Sequence, residues 1–402
     1  MPDHLLLSYY GDDLTGSTDV MEALSSHGVD TVLFMNQPDE ALLSRFSHCK
    51  AIGLAGTSRS ETPEWMDEHL TPAFGWLKSL DAAICHYKVC STFDSAPHVG
   101  NIGKAVEIGR AVFGQPYVPL VVGAPQLRRY TAFGNLFAAY QGEVYRIDRH
   151  PVMSRHPVTP MHEADLRLHL AHQTALRTEL ADLVTLAAAD ADARLDALAE
   201  KSDGMLLFDV DSAESQSRAG RQFWRLRRES GWFVAGSSGV EYALLAAWAE
   251  AGLIGRKQDF PLPGKADRIA VVSGSVSPTT ERQIRTAAAS GFTSIDLDPL
   301  TLLGENGAQA IETAVAQGAD VLQQGRSVIL NTALGPSADR GAEIDRVAGS
   351  RHRLGRILGS ILRRLVEQEK LQRAVIAGGD TSSHALRELQ VEALTTLLPL
   401  PQ

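Results

Sequence analysis

The chain has 402 residues, 44% apolar and 21% charged, which suits two or three globular domains and not a disordered chain. Its 38 Lys and Arg against 48 Asp and Glu leave a formal charge of −10, so no global field draws it to nucleic acid or to an anionic membrane, and neither is expected as a partner. Cys49, Cys85 and Cys90 form neither a disulfide framework nor a zinc site, Met1–Tyr10 lacks a signal peptide's basic flank, and no apolar run reaches a membrane-spanning ~18 residues; the expected location is the cytoplasm.

Short apolar runs alternate with amphipathic ones. Strands are expected at 4–10, 30–35, 51–55, 82–89 and 117–122, with helices at 19–27, 63–80 and 103–113 between them. Further strands are expected at 182–186, 205–210 and 232–235, and a surface helix in the second half of 176–200. At 254–266 the periodicity stops in a polar stretch holding Pro261, Pro263 and Gly264, which reads as a linker. Beyond it strands are expected at 268–273, 293–297, 327–331 and 373–377, and helices at 279–290, 309–325, 352–368 and 382–389. The expected fold class is α/β, with two three-layer α/β/α lobes, 1–255 and 265–402, mainly parallel sheets and a cleft between them. Ligands of such folds sit at the carboxyl ends of the strands.

The strand ends carry the candidate residues. The first runs into Gly11-Asp12-Asp13-Leu14-Thr15-Gly16-Ser17-Thr18-Asp19, where Asp12 or Asp13 could take a hydroxyl proton and Ser17, Thr18 or Asp19 could cap the next helix. Arg59 follows the 51–55 strand and can clamp a carboxylate, or merely face solvent. Lys88 inside an apolar strand needs an acid or an anionic ligand unless it lies at an edge, and Ser91, Thr92 and Asp94 follow it. Arg129 and then Gly236-Ser237 end further strands; small residues at the latter can bring backbone N–H groups to a ligand.

In the second lobe, Ser273-Gly274-Ser275 and Gly378-Gly379-Asp380-Thr381 each join a strand to a helix, an arrangement that binds phosphates. Neither is a Walker A loop, and the missing GxGxxG argues against a dehydrogenase. No metal site is expected among the side chains; magnesium is expected only with a nucleotide.

The segments Gly11–Asp19, Tyr87–Ser95 and Gly378–Ser382, in that order, resemble the landmarks of the four-carbon acid sugar kinase family. Tyr10–Asp13 and Phe133–Ala138 are most similar to the branch that phosphorylates 3-oxo-isoapionate. The resemblance implies an N-terminal lobe that binds a small sugar acid such as a 3-oxo-tetronate or threonate, a C-terminal lobe that binds ATP with Mg2+, and phosphoryl transfer across the cleft. It implies Asp13 as the base, with Asp12 the alternative, and Lys88 and Arg59 as neutralising cations. Ser91, Thr92, Asp94, Arg129, Gly236 and Ser237 fall to the sugar acid, and Ser273, Ser275, Gly378, Gly379, Asp380 and Thr381 to the nucleotide. The resemblance implies a Lys- and Gly-rich loop beyond Leu400 that touches the nucleotide; this sequence closes with Pro401-Gln402, so either the loop is cut off here or that contact is lost. A non-catalytic sugar-acid sensor is the alternative reading, and a homodimer the default oligomer.

Overall fold

The computed structural model describes residues 5–228, 231–255, 259–347 and 349–399, with Asp380 through its backbone alone. It divides into two compact units, Met1–Pro261 with Ala393–Gln402, and Leu262–Glu392. By its contacts the segment from Ala393 groups with the first unit.

The first unit holds β1 (Leu7–Gly11), β2 (Thr31–Phe34), β3 (Ala51–Ala55), β4 (Ile84–Lys88), β5 (Val118–Val121), β6 (Arg129–Ala132), β7 (Asn135–Tyr140), β8 (Glu143–Arg146), β9 (Thr178–Ala181), β10 (Met205–Phe208) and β11 (Trp232–Gly236). The second holds β12 (Ala270–Ser273), β13 (Thr293–Asp296), β14 (Val328–Asn331) and β15 (Ala374–Ala377), after which β16 (Ala393–Leu394) returns to the first.

A nine-stranded sheet has the order β16-β2-β3-β1-β4-β11-β5-β10-β9, and a four-stranded sheet β13-β14-β12-β15. All pairs in both are parallel except β16 against β2. Every residue of β1, β4 and β11 is buried, as parallel strands covered on both faces require. Tyr10, Phe74, Tyr87 and Phe233 pack together in the core of this unit. The strand order reverses at β1, between β3 and β4, so the loops leaving these strands diverge there and open a crevice.

Side-chain caps start the helices: Asp13 for Leu14–Ser26, Thr62 for Pro63–Ser79 and Asn101 for Ile102–Phe113. The first helix thus begins ahead of the expected 19–27, because Asp13 is its cap and Ser17, Thr18 and Asp19 lie inside it. The expected strand at 182–186 is a short helix, Leu183–Ala187; Asp182 caps it by accepting from Thr185 N, and the strand is β9 just before. A period cannot be read from five residues. An antiparallel sheet β6-β7-β8 stands where no strand was expected, its first turn set by Phe133 and Gly134 at positive φ.

Candidate functional site

Five strands of the first unit, β3, β1, β4, β11 and β5, end side by side. Gly11 is level with Ala55 and with Lys88, Lys88 with Gly236, and Gly236 with Val121. Asp12-Asp13, Arg59, Ser91–Asp94 and Gly236-Ser237 consequently share one end of the sheet.

Arg59 ties two of these loops together. Its Nη1 donates to Asp13 Oδ2 at 2.9 Å, and its Nη2 to Asp94 Oδ1 and Oδ2 at 3.0 and 3.2 Å. Thr92 and Thr159 hydroxyls also donate to Asp94, at 2.5 and 2.9 Å. Burial pushes the Asp94 carboxyl up, but Arg59 and these hydroxyls outweigh it and hold it below its ordinary range.

Asp13 is fully engaged. Its Oδ1 accepts from Gly16 N at 2.5 Å, and Oδ2 takes Arg59. Asp12 is the opposite case. It is 4% exposed, and its buried Oδ1 has no hydrogen-bond partner among the described residues. Burial and then the neighbouring Asp13 charge push its pKa up to about 7, against the pull of Arg59 and Lys88. A buried carboxylate with one oxygen unpaired is costly unless it serves a ligand or a proton transfer.

Lys88 is 2% exposed. Burial opposes its charge, but Asp19 and then Asp12 outweigh that and raise its pKa. Its ion pair is a long one, 3.6 Å to Asp19 Oδ2, and Ser238 Oγ donates to the same oxygen. Gly16 is what allows this crowding: a Cβ there would stand 2.9 Å from Asp13 Oδ1, 3.1 Å from Lys88 Nζ and 3.6 Å from Asp12 Oδ1.

Arg129 comes near through Cys90, which neighbours Arg59, Lys88 and Arg129 alike. It makes no ion pair among the described residues; Nη1 donates to the Leu127 and Arg128 carbonyls, and Nε is buried and unpartnered. Ser91 is half-buried beside this group. Gly236 and Ser237 hold the loop rather than offer donors: Ser237 N donates to Val121 O, and Ser237 Oγ donates to Val122 O. That corrects the expectation of ligand-facing amides at Ser237.

Sequence reasoning passed over Asp19 and Ser238 as site residues, although Asp19 stands in the segment after the first strand and Ser238 directly follows Ser237. Thr159 carried no signal, since it reaches Asp94 from 65 positions away.

In the second unit Ser273 and Ala377 are register partners, which brings the two phosphate-type loops together. Ser275 Oγ accepts from Ser277 N and Thr280 Oγ1, and Ser277 caps helix Pro278–Ala289. A Cβ on Gly274 would meet Thr381 Oγ1 at 2.6 Å, and one on Gly378, at φ +114, would meet Ser275 Cβ at 3.4 Å. Gly379 opens helix Gly379–Glu388. The side chain of Asp380 lies outside the described residues. A cavity of about 80 Å³ beside these loops is lined by Gly274, Thr332, Thr381, Arg340 and Arg351, the last two unforeseen.

A cavity of about 1050 Å³ elsewhere in the first unit, lined by Leu5, Phe46, Cys49, Trp76 and Leu80, holds none of the candidate residues.

The class follows from this architecture and from comparison with known proteins. Residues 7–244 match the model of a sugar-binding N-terminal domain, and 270–400 that of a nucleotide-binding C-terminal domain. The chain belongs to the family that joins these two domains, the four-carbon acid sugar kinases. It is 46% identical to a 3-oxo-isoapionate kinase of Paraburkholderia graminis, over 99% of this chain and 87% of that protein. It is 30% identical to a 3-oxo-tetronate kinase of Methylobacterium radiotolerans, over 97% of this chain and 89% of that protein. Its fold is that of a Salmonella typhimurium protein described as a putative tRNA synthase, at TM-score 0.76 and 23% identity, covering 97% of this chain and 89% of that one.

Proposed function

We propose that this protein is an ATP-dependent kinase that phosphorylates a hydroxyl of a small sugar acid, of the 3-oxo-isoapionate or 3-oxo-tetronate kind, in carbohydrate catabolism. The observation that carries the mechanism is Asp12: a buried carboxyl with an unpartnered oxygen and a pKa near 7, beside a buried ammonium. Relatives named as kinases over nearly the whole chain support the activity and disfavour the sensor reading.

The first unit takes the sugar acid and the second takes ATP with Mg2+, held by Ser273, Ser275, Gly378, Gly379 and Thr381. Asp12 is the base. It accepts the acceptor hydroxyl's proton as the oxygen bonds to the γ-phosphorus and the bond to ADP breaks. A base poised near neutrality suits such a transfer. Asp13 is reassigned from base to anchor: it caps a helix and fixes Arg59. Lys88 neutralises charge that develops on the transferring group. Arg129, which has no acidic partner among the described residues, takes the substrate carboxylate.

An ADP-release assay with Mg–ATP and a panel of four- and five-carbon 3-oxo and aldonic acids tests this reading. Turnover on one of them is the expected result, and silence on all of them in a folded protein would refute it.

A further inference from the structure

His86 and Lys88 are two residues apart on β4, so their side chains leave the same face of the sheet. Both are deeply buried. Glu241, in the first turn of the helix Gly239–Glu250, is fully buried with them. His86 Nδ1 lies 2.5 Å from Glu241 Oε1, and Nε2 lies 3.1 Å from Gly236 O, which also accepts from Val89 N. A carbonyl only accepts, so Nε2 carries a hydrogen; the short contact on the other side joins Nδ1 to the Glu241 carboxyl through a second proton held between them, since two bare acceptors cannot hydrogen-bond. Glu241 Oε2 has no partner among the described residues.

That second oxygen matters because Lys88 is loosely held. Its ion pair with Asp19 is long, it shares that oxygen with Ser238, and the Glu241 charge acts on it from within the core. An ammonium 2% exposed, among Asp12, Asp19 and Glu241, can be drawn toward the strand end or away from it. We propose that His86 is a positioning residue for Lys88: by engaging Glu241 it keeps that carboxylate from pulling the ammonium inward, off the end of β4 where Asp12 stands. The pair touches no substrate and acts only through Lys88. The inference rests on the reading of Lys88 as the cation that neutralises the transferring group.

The geometry makes a signed forecast. In His86→Leu, Glu241 is released and Lys88 turns toward it. The kcat per folded molecule falls at least tenfold, while KM for the sugar acid, set by Arg129, stays within twofold. Removing Glu241 as well, in His86→Leu/Glu241→Leu, returns kcat to within about threefold of wild type. His86→Gln, which keeps a hydrogen-bonding group there, also recovers. Replacing a buried pair by apolar residues is commonly tolerated where breaking it is not, so melting temperatures are read separately and rates are scaled to the folded fraction. A rate in the double variant no better than in the single one, or an unchanged rate in folded His86→Leu, would overturn the proposal. The side-chain NMR signals of Lys88 in lysine-labelled protein give a readout that needs no turnover. They shift in His86→Leu and return in the double variant if the pair positions Lys88, whether or not any acid is phosphorylated. Signals unmoved by His86→Leu overturn it, and a wild type without turnover overturns only the functional reading.

Discussion

Asp12 and Asp13 are adjacent in the chain and opposite in environment. Asp13 has one oxygen on the Gly16 amide and the other on Arg59, whereas Asp12 is buried with Oδ1 unpaired among the described residues. Both lie just past the end of β1: Asp13 caps the helix that follows, while the Asp12 backbone is held between Lys88 O and Arg59 N.

Asp12→Asn is expected to cut kcat by roughly 10²–10⁴-fold, the usual worth of a general base, with sugar-acid binding by calorimetry retained. Asp13→Asn keeps a capping side chain and loses the Arg59 pair, so a smaller fall in kcat is expected, accompanied by a lower melting temperature. Equal losses in the two variants, with no change in stability in either, would contradict the division of roles.

The pH profile follows from the raised Asp12 carboxyl. The base must be ionised, so kcat/KM should fall as pH drops through about 7 and level off above it. Stability runs the other way. Because the folded-state pKa lies above the ordinary 3.8, the stability linked to this group is full below that value and lost as pH rises through about 7. Asp12→Asn should therefore melt higher than wild type at pH 8 and alike near pH 4, as thermal unfolding at both pH values would show.

Arg59→Ala leaves Asp94, whose side chain is 1% exposed, without its cation. Losing one partner of a buried pair costs about 3–5 kcal/mol, and the partial exposure of Arg59 brings the expected value to about 2–3 kcal/mol by urea unfolding. Arg59→Lys should recover little, since a single ammonium cannot join Asp13 and Asp94 as the guanidinium fork does.

Arg129→Leu should raise KM for the sugar acid at least tenfold while KM for ATP stays put, in steady-state kinetics with each substrate varied in turn. A tenfold change corresponds to about 1.4 kcal/mol, within reach of one charge-assisted contact.

Cys90 should be the thiol that reacts under native conditions. Cys49 and Cys85 are buried, and burial pushes their thiols up to about 11 and about 12. Mass spectrometry after brief alkylation should find Cys90 modified first, and a bound sugar acid should slow it.

Much of this was legible in the sequence for physical reasons. Apolar runs at β1, β3, β4 and β11 mark buried parallel strands, and the charged and small residues just beyond them mark the site because strand ends are where such sheets bind. Asp12 and Asp13 could not be told apart, since capping depends on where the helix starts, and that is decided by one hydrogen bond to Gly16. Thr159 and the His86–Glu241 pair were invisible because they meet the site through long-range packing. The hairpin β6-β7 was missed because its residues show no clean alternation, and β16 because two residues carry no period at all.

The most direct test of the account is the ADP-release rate with Mg–ATP and 3-oxo-isoapionate or 3-oxo-tetronate, for the wild type and Asp12→Asn side by side, with acid binding measured on both. The account predicts turnover by the wild type and its near-complete loss in a folded variant that still binds the acid. An Asp12→Asn enzyme that turns over at the wild-type rate would contradict it.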